Sequence, residues 1–401
     1  MPPAAGDRTT VRDGENRAVT VPFLPTHPIH PDPFIPIHSS ERSPHSMTRI
    51  DKLVSLFPEK SDAMLITSEI SIRYFTSFPY TDGCLLITRD TPYLITDFRY
   101  IEAAKAACPD FTVLMYEKGM ESLLCDLFAE HSIKSVLYED DTLCARTLHA
   151  WQERFAHIDF QPAGHIVSSL MAIKDESEYR SILSAQKIAE EALVGILAYL
   201  SPEMTEQELA LELEYAMRRE GAEEKAFDII AITGASTSLP HGVPQNRPLQ
   251  KGFLTLDYGA KVNGYCSDMT RTLCLGKADE EMKKIYQTVL DAQKAALEAI
   301  LNGERNCRTI DGIARSLIDK AGYAGCFGHG LGHGVGLRIH EAPRLSPHVP
   351  EDALLLPGHV VTVEPGIYLP GACGVRIEDL VYIRENGAVN LTSAPKELME
   401  L

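Results

Sequence analysis

The segment FLTLDYGAKVNGYCSDMTRT, residues 253 to 272, narrows the possible folds more than any other stretch of the chain. Asn263-Gly264 sits between alternating apolar runs. That is the strongest short-range signal for a β-hairpin, because a type I′ turn needs positive φ at both central residues. With those two residues as the loop, positions whose numbers sum to 527 face each other across the ladder. Asp257 then opposes Thr270, and Asp268 lies two residues along on the same face. The two aspartates form a diagonal cross-strand pair, roughly 7 Å apart at the backbone. Carboxylates in an apolar strand pair are costly to bury, and this spacing suits one cation or two about 3.5–4 Å apart. The residues alone leave a second reading open, in which one aspartate serves the turn and the other pairs with Arg271.

A chain of 401 residues is long for a single core and points to two domains. Its formal net charge of −18 argues against a nucleic-acid partner or an anionic membrane surface, since both require a basic face. No apolar run reaches the roughly 18 residues that a membrane span needs. The nine cysteines are odd in number and show no CxxC spacing, so they read as reduced thiols in a cytoplasmic protein.

Residues 1–46 stand apart: they hold nine of the 25 prolines and four of the 14 histidines, His27, His30, His38 and His45. Proline at this density blocks helix and ladder alike, so the segment reads as a disordered or extended Pro/His-rich extension. It has no apolar core of a secretory signal. Met47 opens the first globular-looking sequence, so what precedes it is either an extension or a misplaced start. Over 47–170, AMLIT, GCLLIT, PYLITD, FTVLMY and SVLYED read as strands between helical patterns, which makes an α/β domain. A second unit, 173–401, opens with a long amphipathic helix. Thr205 and Glu208 then form a capping box, with Gly221 as the stop. Helix pair, strands, helix pair, strands is the order that follows, which suggests two similar halves.

The segment GHGLGHGVGLRIHEAP, 328–343, places three histidines among five glycines. His329 and His333 have i, i+4 spacing, but each glycine costs a helix about 1 kcal/mol relative to alanine, so a loop with close backbone approach is expected. In VVTVEPGIYL, Glu364 ends an apolar strand where Pro365 stops the ladder. GVRIEDLVYI buries Glu378 in the same way, with Arg376 as a possible ion-pair partner for either glutamate. Charged glutamates in such surroundings are rare unless paired.

Asp257, Asp268, His333, Glu364 and Glu378 together resemble, in order, context and spacing, the ligand set of the pita-bread metallopeptidases. The matching motifs are LDYGAKVNGYCSDMTRT, GHGLGHGVGLRIHE, TVEPGIY and GVRIEDLV, and the resemblance covers about 173–401. LMAIKDESEYRSILSAQKIAEEA and ISIRYFTSF are similar to the linker and amino-terminal domain of the aminopeptidase P and prolidase branch. The resemblance implies a creatinase-like α/β amino-terminal domain followed by an α+β pita-bread catalytic domain with pseudo-twofold halves. It also implies a dinuclear site in which Asp257 and Glu364 each serve mainly one cation, Asp268 and Glu378 bridge, and His333 completes the set. Four carboxylates within about 5 Å repel by roughly 3 kcal/mol per pair at an effective dielectric of 20, which two divalent cations offset. Manganese is expected, with cobalt or zinc as alternatives.

On the same resemblance, Glu364 accepts and passes on a proton, and His241 and His340 hydrogen-bond the substrate or its oxyanion. Arg376 braces the bridging carboxylates. The implied activity is that of an Xaa-Pro aminopeptidase or dipeptidase acting on peptides with proline at the second position. An Xaa-Pro bond is a tertiary amide without an N–H, so an enzyme that reads peptides as strands handles it poorly. A creatinase-like amidinohydrolase and a catalytically dead binding protein are the alternatives. A homodimer is expected, with the amino-terminal domain shaping the site or forming the dimer contact. Arg338 departs from the pattern, since relatives often carry an acidic residue there, and the role of His329 stays open.

Overall fold

The computed structural model describes residues 47–401 and, before them, only the strand pair Val11–Arg12 and Ala18–Val19. The remaining readings for the proline-rich segment, including its four histidines, lie outside the described residues. Residues 63–162 build a six-stranded mixed sheet in the order Thr112–Met115, Pro92–Thr96, Gly83–Thr88, Ala63–Ile66, Ser135–Tyr138, Asp159–Pro162. Its central strands, Gly83–Thr88 and Ala63–Ile66, are apolar at nearly every position because both faces of the sheet are covered. Met64 and Ile66 face one cluster while Ala63 and Leu65 face the other. The first cluster runs on into the second half of the chain through Tyr265, Val335, Leu337 and Val360, so the two parts share a core. Sequence pattern missed four helices of this region, Arg49–Ser55, Glu69–Thr76, Ala145–Arg154 and Ile166–Ala172. Arg49–Ser55 and Ala145–Arg154 bury one side chain each and Ile166–Ala172 buries three, too few to leave a readable stripe.

From Glu176 the expected alternation is present. Helices Glu176–Leu197 and Glu206–Arg219 pack on a sheet of Ile230–Thr233, Gly252–Tyr258 and Met269–Leu275. Helices Glu280–Leu301 and Cys307–Ile318 pack on a five-stranded sheet that includes Gly332–Gly334, Val360–Val363 and Asp379–Arg384. Capping boxes at Asp175/Glu178 and Thr205/Glu208 start the first two helices, and the side chains of Asp279 and Asn306 cap the second pair. Each fully buried Leu, Ile or Val in these interfaces contributes about 1.5–3 kcal/mol.

The Asn-Gly hairpin has the predicted register. Asp257 pairs with Thr270 and Val262 with Tyr265, and both turn residues have positive φ, 50° at Asn263 and 84° at Gly264. The ladder nevertheless breaks once, at Gly259 and Asp268, between Gly252–Tyr258 and Ala260–Val262 on one side and their partners on the other. A Cβ at Gly259 would lie 1.9 Å from the Ser267 carbonyl oxygen, so only glycine lets the strands cross there. The register is the same on both sides of the break.

Arg271 is buried, its Nη2 pairs with Asp379 at 2.9 Å and also donates to the Ala394 carbonyl, and its other nitrogens reach the carbonyls of Glu378 and Pro395. The alternative in which Arg271 neutralises a hairpin aspartate is therefore set aside.

His359, at the start of the strand Val360–Val363, is buried and accepts a hydrogen bond from the Leu356 N–H at 3.0 Å. Burial, reinforced by Lys174, holds its pKa down at about 4. A depressed histidine contributes stability above its unfolded value near 6.5 and loses it as the pH falls toward 4. The loss amounts to up to about 3 kcal/mol. Denaturant midpoints measured between pH 7 and 4 should therefore fall less steeply in His359→Asn than in the parent. Parallel curves would refute this.

Candidate metal centre

Breaks in regular structure deliver the acidic groups to one place. Glu364 follows Val360–Val363, where Pro365 ends the strand, and its N–H donates to the Leu331 carbonyl at 2.8 Å. Glu378 lies between Cys373–Arg376 and Asp379–Arg384, its N–H directed at the Thr270 carbonyl. The same Thr270 donates its hydroxyl to Glu378 Oε2 at 2.6 Å. Thr272 Oγ1 bonds the Arg376 carbonyl at 2.8 Å, so the hairpin of the first half is stitched to the strands of the second.

The glycine-rich segment is not wholly a loop, as its composition suggests. Gly332–Gly334 forms a short strand between Glu341–Leu345 and Val360–Val363. A Cβ at Gly332 would sit 2.0 Å from the Thr362 carbonyl oxygen, and one at Gly334 would sit 2.2 Å from that of Ala342. Here the glycines serve close backbone packing. They fix His333 deep in the site, with its N–H on Thr362 Oγ1 at 3.0 Å.

His333 Nδ1 lies 3.0 Å from the Gly334 carbonyl, which assigns the proton to Nδ1 and leaves Nε2 as a lone-pair donor. That Nε2 is 3.3 Å from Glu364 Oε1 and 3.5 Å from Asp268 Oδ2. One potential ligand atom each from Asp268, His333 and Glu378 lies within 4.8 Å of the others. Asp257 approaches from the hairpin side, held by Arg376 at 2.6 Å. The five residues singled out from the sequence are thus brought to one locus.

Electrostatics mark this locus as strained when no cation is bound. Burial, then the charges of Glu378, Asp257 and Glu364, raise the Asp268 pKa well above the usual range. Glu378 is raised well above its usual value by burial, then by Glu364 and Asp257, against the opposing pull of Thr270 and Arg376. Burial lifts Glu364 to about 8, with Arg376 opposing and Asp257 adding to the rise. His333 is pushed down to about 3, chiefly by burial, so its imidazole is neutral. Crowded carboxyls plus one neutral imidazole are a donor set that a divalent cation fits: hard oxygen ligands, one nitrogen, and excess negative charge to offset.

The surrounding residues answer some open questions and correct one expectation. Arg376 is 4% exposed, and its hydrogen bond goes to Asp257 rather than to Asp268 or Glu378, which it was expected to brace. The physical reason is reach: Arg376 also spends Nε on Thr270 Oγ1 and one terminal nitrogen on Tyr368 Oη and the Pro240 carbonyl, which fixes the fork toward Asp257. Tyr368 and His329 were not assigned from sequence. His329 Nε2 lies 3.0 Å from Tyr368 Oη, so the chain His329–Tyr368–Arg376–Asp257 is continuous. Tyr368 could be found only by its position in GIYL beside the strand bearing Arg376, with no motif to mark it.

His340 stacks edge-on against His333, ring centroids 4.4 Å apart. Burial, then the nearby charges of Arg344 and His241, lower its pKa. His241 is exposed, next to Pro240, whose carbonyl is held by Arg376. Its loop hangs on buried Glu206, which accepts from the N–H groups of Thr233 and Gln245 and from Arg247. A cavity of about 290 Å³ opens beside His340 and Arg344.

Comparison with known proteins matches this architecture. Residues 180–385 fit the family model of metallopeptidase family M24, and residues 49–173 fit that of the creatinase/prolidase N-terminal domain. The chain belongs to metallopeptidase family M24. It is 36% identical to an Xaa-Pro dipeptidase of Pyrococcus furiosus, over 88% of this chain and 99% of the relative. An Xaa-Pro dipeptidase structure from Bacillus anthracis matches with a TM-score of 0.83 at 39% identity, covering 88% of this chain and 99% of that one. An X-Pro aminopeptidase structure from Thermotoga maritima matches at 0.80 and 35% identity, covering 85% and 98%. This M24 chain thus has a creatinase-like α/β domain before a pita-bread catalytic domain, and its family is metal-dependent. Among the described residues no helix is long and apolar enough to cross a membrane.

Proposed function

We propose that this M24 hydrolase is a dinuclear-metal peptidase that cleaves the Xaa-Pro bond, at the amino terminus of peptides or in dipeptides. The observation that carries the reading is the buried meeting of Asp268, His333, Glu364 and Glu378, with Asp257 beside them, in a state where ionised carboxylates repel. Those five residues would hold the cations, manganese by preference and cobalt or zinc as alternatives. Bound divalent cations supply Lewis-acid polarisation of the scissile carbonyl and acidify the attacking water.

The chain's own groups do the rest. The Glu364 carboxylate takes the proton that the attacking water loses and hands it to the departing proline nitrogen. His241 and His340 donate to the carbonyl oxygen as it gains charge. Arg376, backed by Tyr368, keeps Asp257 aimed at the site. Arg344 is exposed at the cavity beside His340, where its charge acts on Glu364 without a close ion pair among the described residues. A free substrate carboxylate is its natural counter-ion, which favours short peptides. The relatives whose names specify Xaa-Pro dipeptidase and X-Pro aminopeptidase support the proline specificity. The reading includes a homodimer in the cytoplasm, where its nine unpaired thiols stay reduced.

Manganese-loaded protein should cleave Ala-Pro and Met-Pro, leave Ala-Ala intact, and lose that activity on chelation and regain it on re-addition of metal. Comparing Ala-Pro with Ala-Pro-Ala then separates dipeptidase from aminopeptidase. Creatine turnover without Xaa-Pro cleavage would instead support the amidinohydrolase alternative. Stable protein that holds no metal under metal-supplemented conditions and hydrolyses neither substrate would support the binding-protein alternative.

A further inference from the structure

His340 sits on a segment anchored from outside the catalytic sheets. Two ion pairs flank it in sequence. On one side Arg338 reaches Asp141, in the turn after the strand Ser135–Tyr138 of the amino-terminal domain, at 3.2 Å. On the other, Glu341 accepts from Lys174 Nζ at 2.8 Å, with side chains 7% and 1% exposed. Lys174 lies between the last helix of the amino-terminal region, Ile166–Ala172, and the first catalytic helix. Glu341 also accepts the Arg338 N–H at 3.0 Å, so the two ties are joined into one clasp around His340. A Cβ at Gly336 would lie 2.4 Å from the Glu341 carboxylate, so the glycine leaves that carboxylate its place. Asp141, Arg338, His340 and Arg344 all line the cavity of about 290 Å³.

We propose that Arg338 and Asp141 are positioning residues through which the amino-terminal domain holds His340 at the reaction site. The inference rests on the reading of His340 as a substrate-contacting group. Lys174–Glu341 fixes the base of the segment. Arg338–Asp141 fixes its outer edge, where the side chains are 31% and 53% exposed and the tie is correspondingly modest. Because it acts across two domains, the pair orients His340 without touching the carboxylates.

In manganese-loaded full-length protein, Arg338→Ala and Asp141→Ala should each lower kcat for an Xaa-Pro dipeptide about three- to fivefold, with KM and metal content little changed. The charge-reversed pair Arg338→Asp with Asp141→Arg should regain most of the loss. About 1 M sodium chloride should lower parental kcat but leave the single variants unaffected. Hydrogen–deuterium exchange of residues 336–345 should be faster in both single variants, a readout independent of turnover. Parental kcat and parental exchange in the single variants, or no recovery in the reversed pair, would overturn the proposal. Faster exchange in the variants of a protein that cleaves no Xaa-Pro peptide would support the clasp and overturn the functional reading instead.

Discussion

Asp268→Asn should abolish metal retention and lower Xaa-Pro hydrolysis by at least about 10²–10³-fold, while making the metal-free protein more stable at neutral pH. The opposite signs share one cause. Asp268 is buried among Glu378, Asp257 and Glu364, which together with burial raise its pKa well above the usual value. For a carboxyl raised in the folded state, stability is present below the unfolded value near 3.8 and is lost as the pH rises through the folded value. Without cations, folding at neutral pH therefore costs free energy at this group, whether it stays ionised among its neighbours or takes up a proton. The amide, of the same shape and uncharged, avoids that cost. With cations the balance reverses, since binding to the folded state alone stabilises by mass action, and a crippled ligand set forfeits that gain. Melting curves of parent and variant, with EDTA and with manganese at pH 8, read both signs at once. A variant that binds two metals and turns over at the parental rate would defeat the site assignment.

Arg376→Lys should also be severe, although the charge is kept. The guanidinium uses three nitrogens on four partners: Thr270 Oγ1 at 3.1 Å, Tyr368 Oη at 2.8 Å, the Pro240 carbonyl at 3.2 Å and Asp257 Oδ2 at 2.6 Å. A lysine ammonium is one point at the end of a flexible stem and cannot span that fork. Breaking a buried, hydrogen-bonded ion pair typically costs about 3–5 kcal/mol. Loss of the Asp257 brace and of the Pro240 hold on the His241 loop should lower kcat by roughly 10–100-fold. Denaturant titration and steady-state kinetics test both effects. Stability and kcat within twofold of the parent would show the fork to be dispensable.

Much of this site was legible before any coordinates. Asn263-Gly264 dictates a type I′ turn, the turn dictates the register, and the register sets Asp257 opposite Thr270. Pro365 ends the strand beside Glu364 by the same kind of local rule. The alternating helix pairs and strands of 173–401 were readable because their apolar stripes face sheets. The partner of Arg376 was not readable. Asp257, Glu364 and Glu378 all offer it charge, and only the fixed approach of its fork selects Asp257. Nor was the strand at His333 readable, since glycine spacing signals close approach without saying to what.

What the sequence determined by itself is therefore whatever depends on neighbours along the chain: turns, caps, strand ends, and the residue types able to bind a cation. Tertiary structure decided which charges meet: Arg271 with Asp379, Arg376 with Asp257, Arg338 with Asp141. Backbone conformation is set by local sterics over a few residues. An ion pair between residues a hundred or more apart depends on where whole sheets and domains pack, and that is fixed only by the shared core.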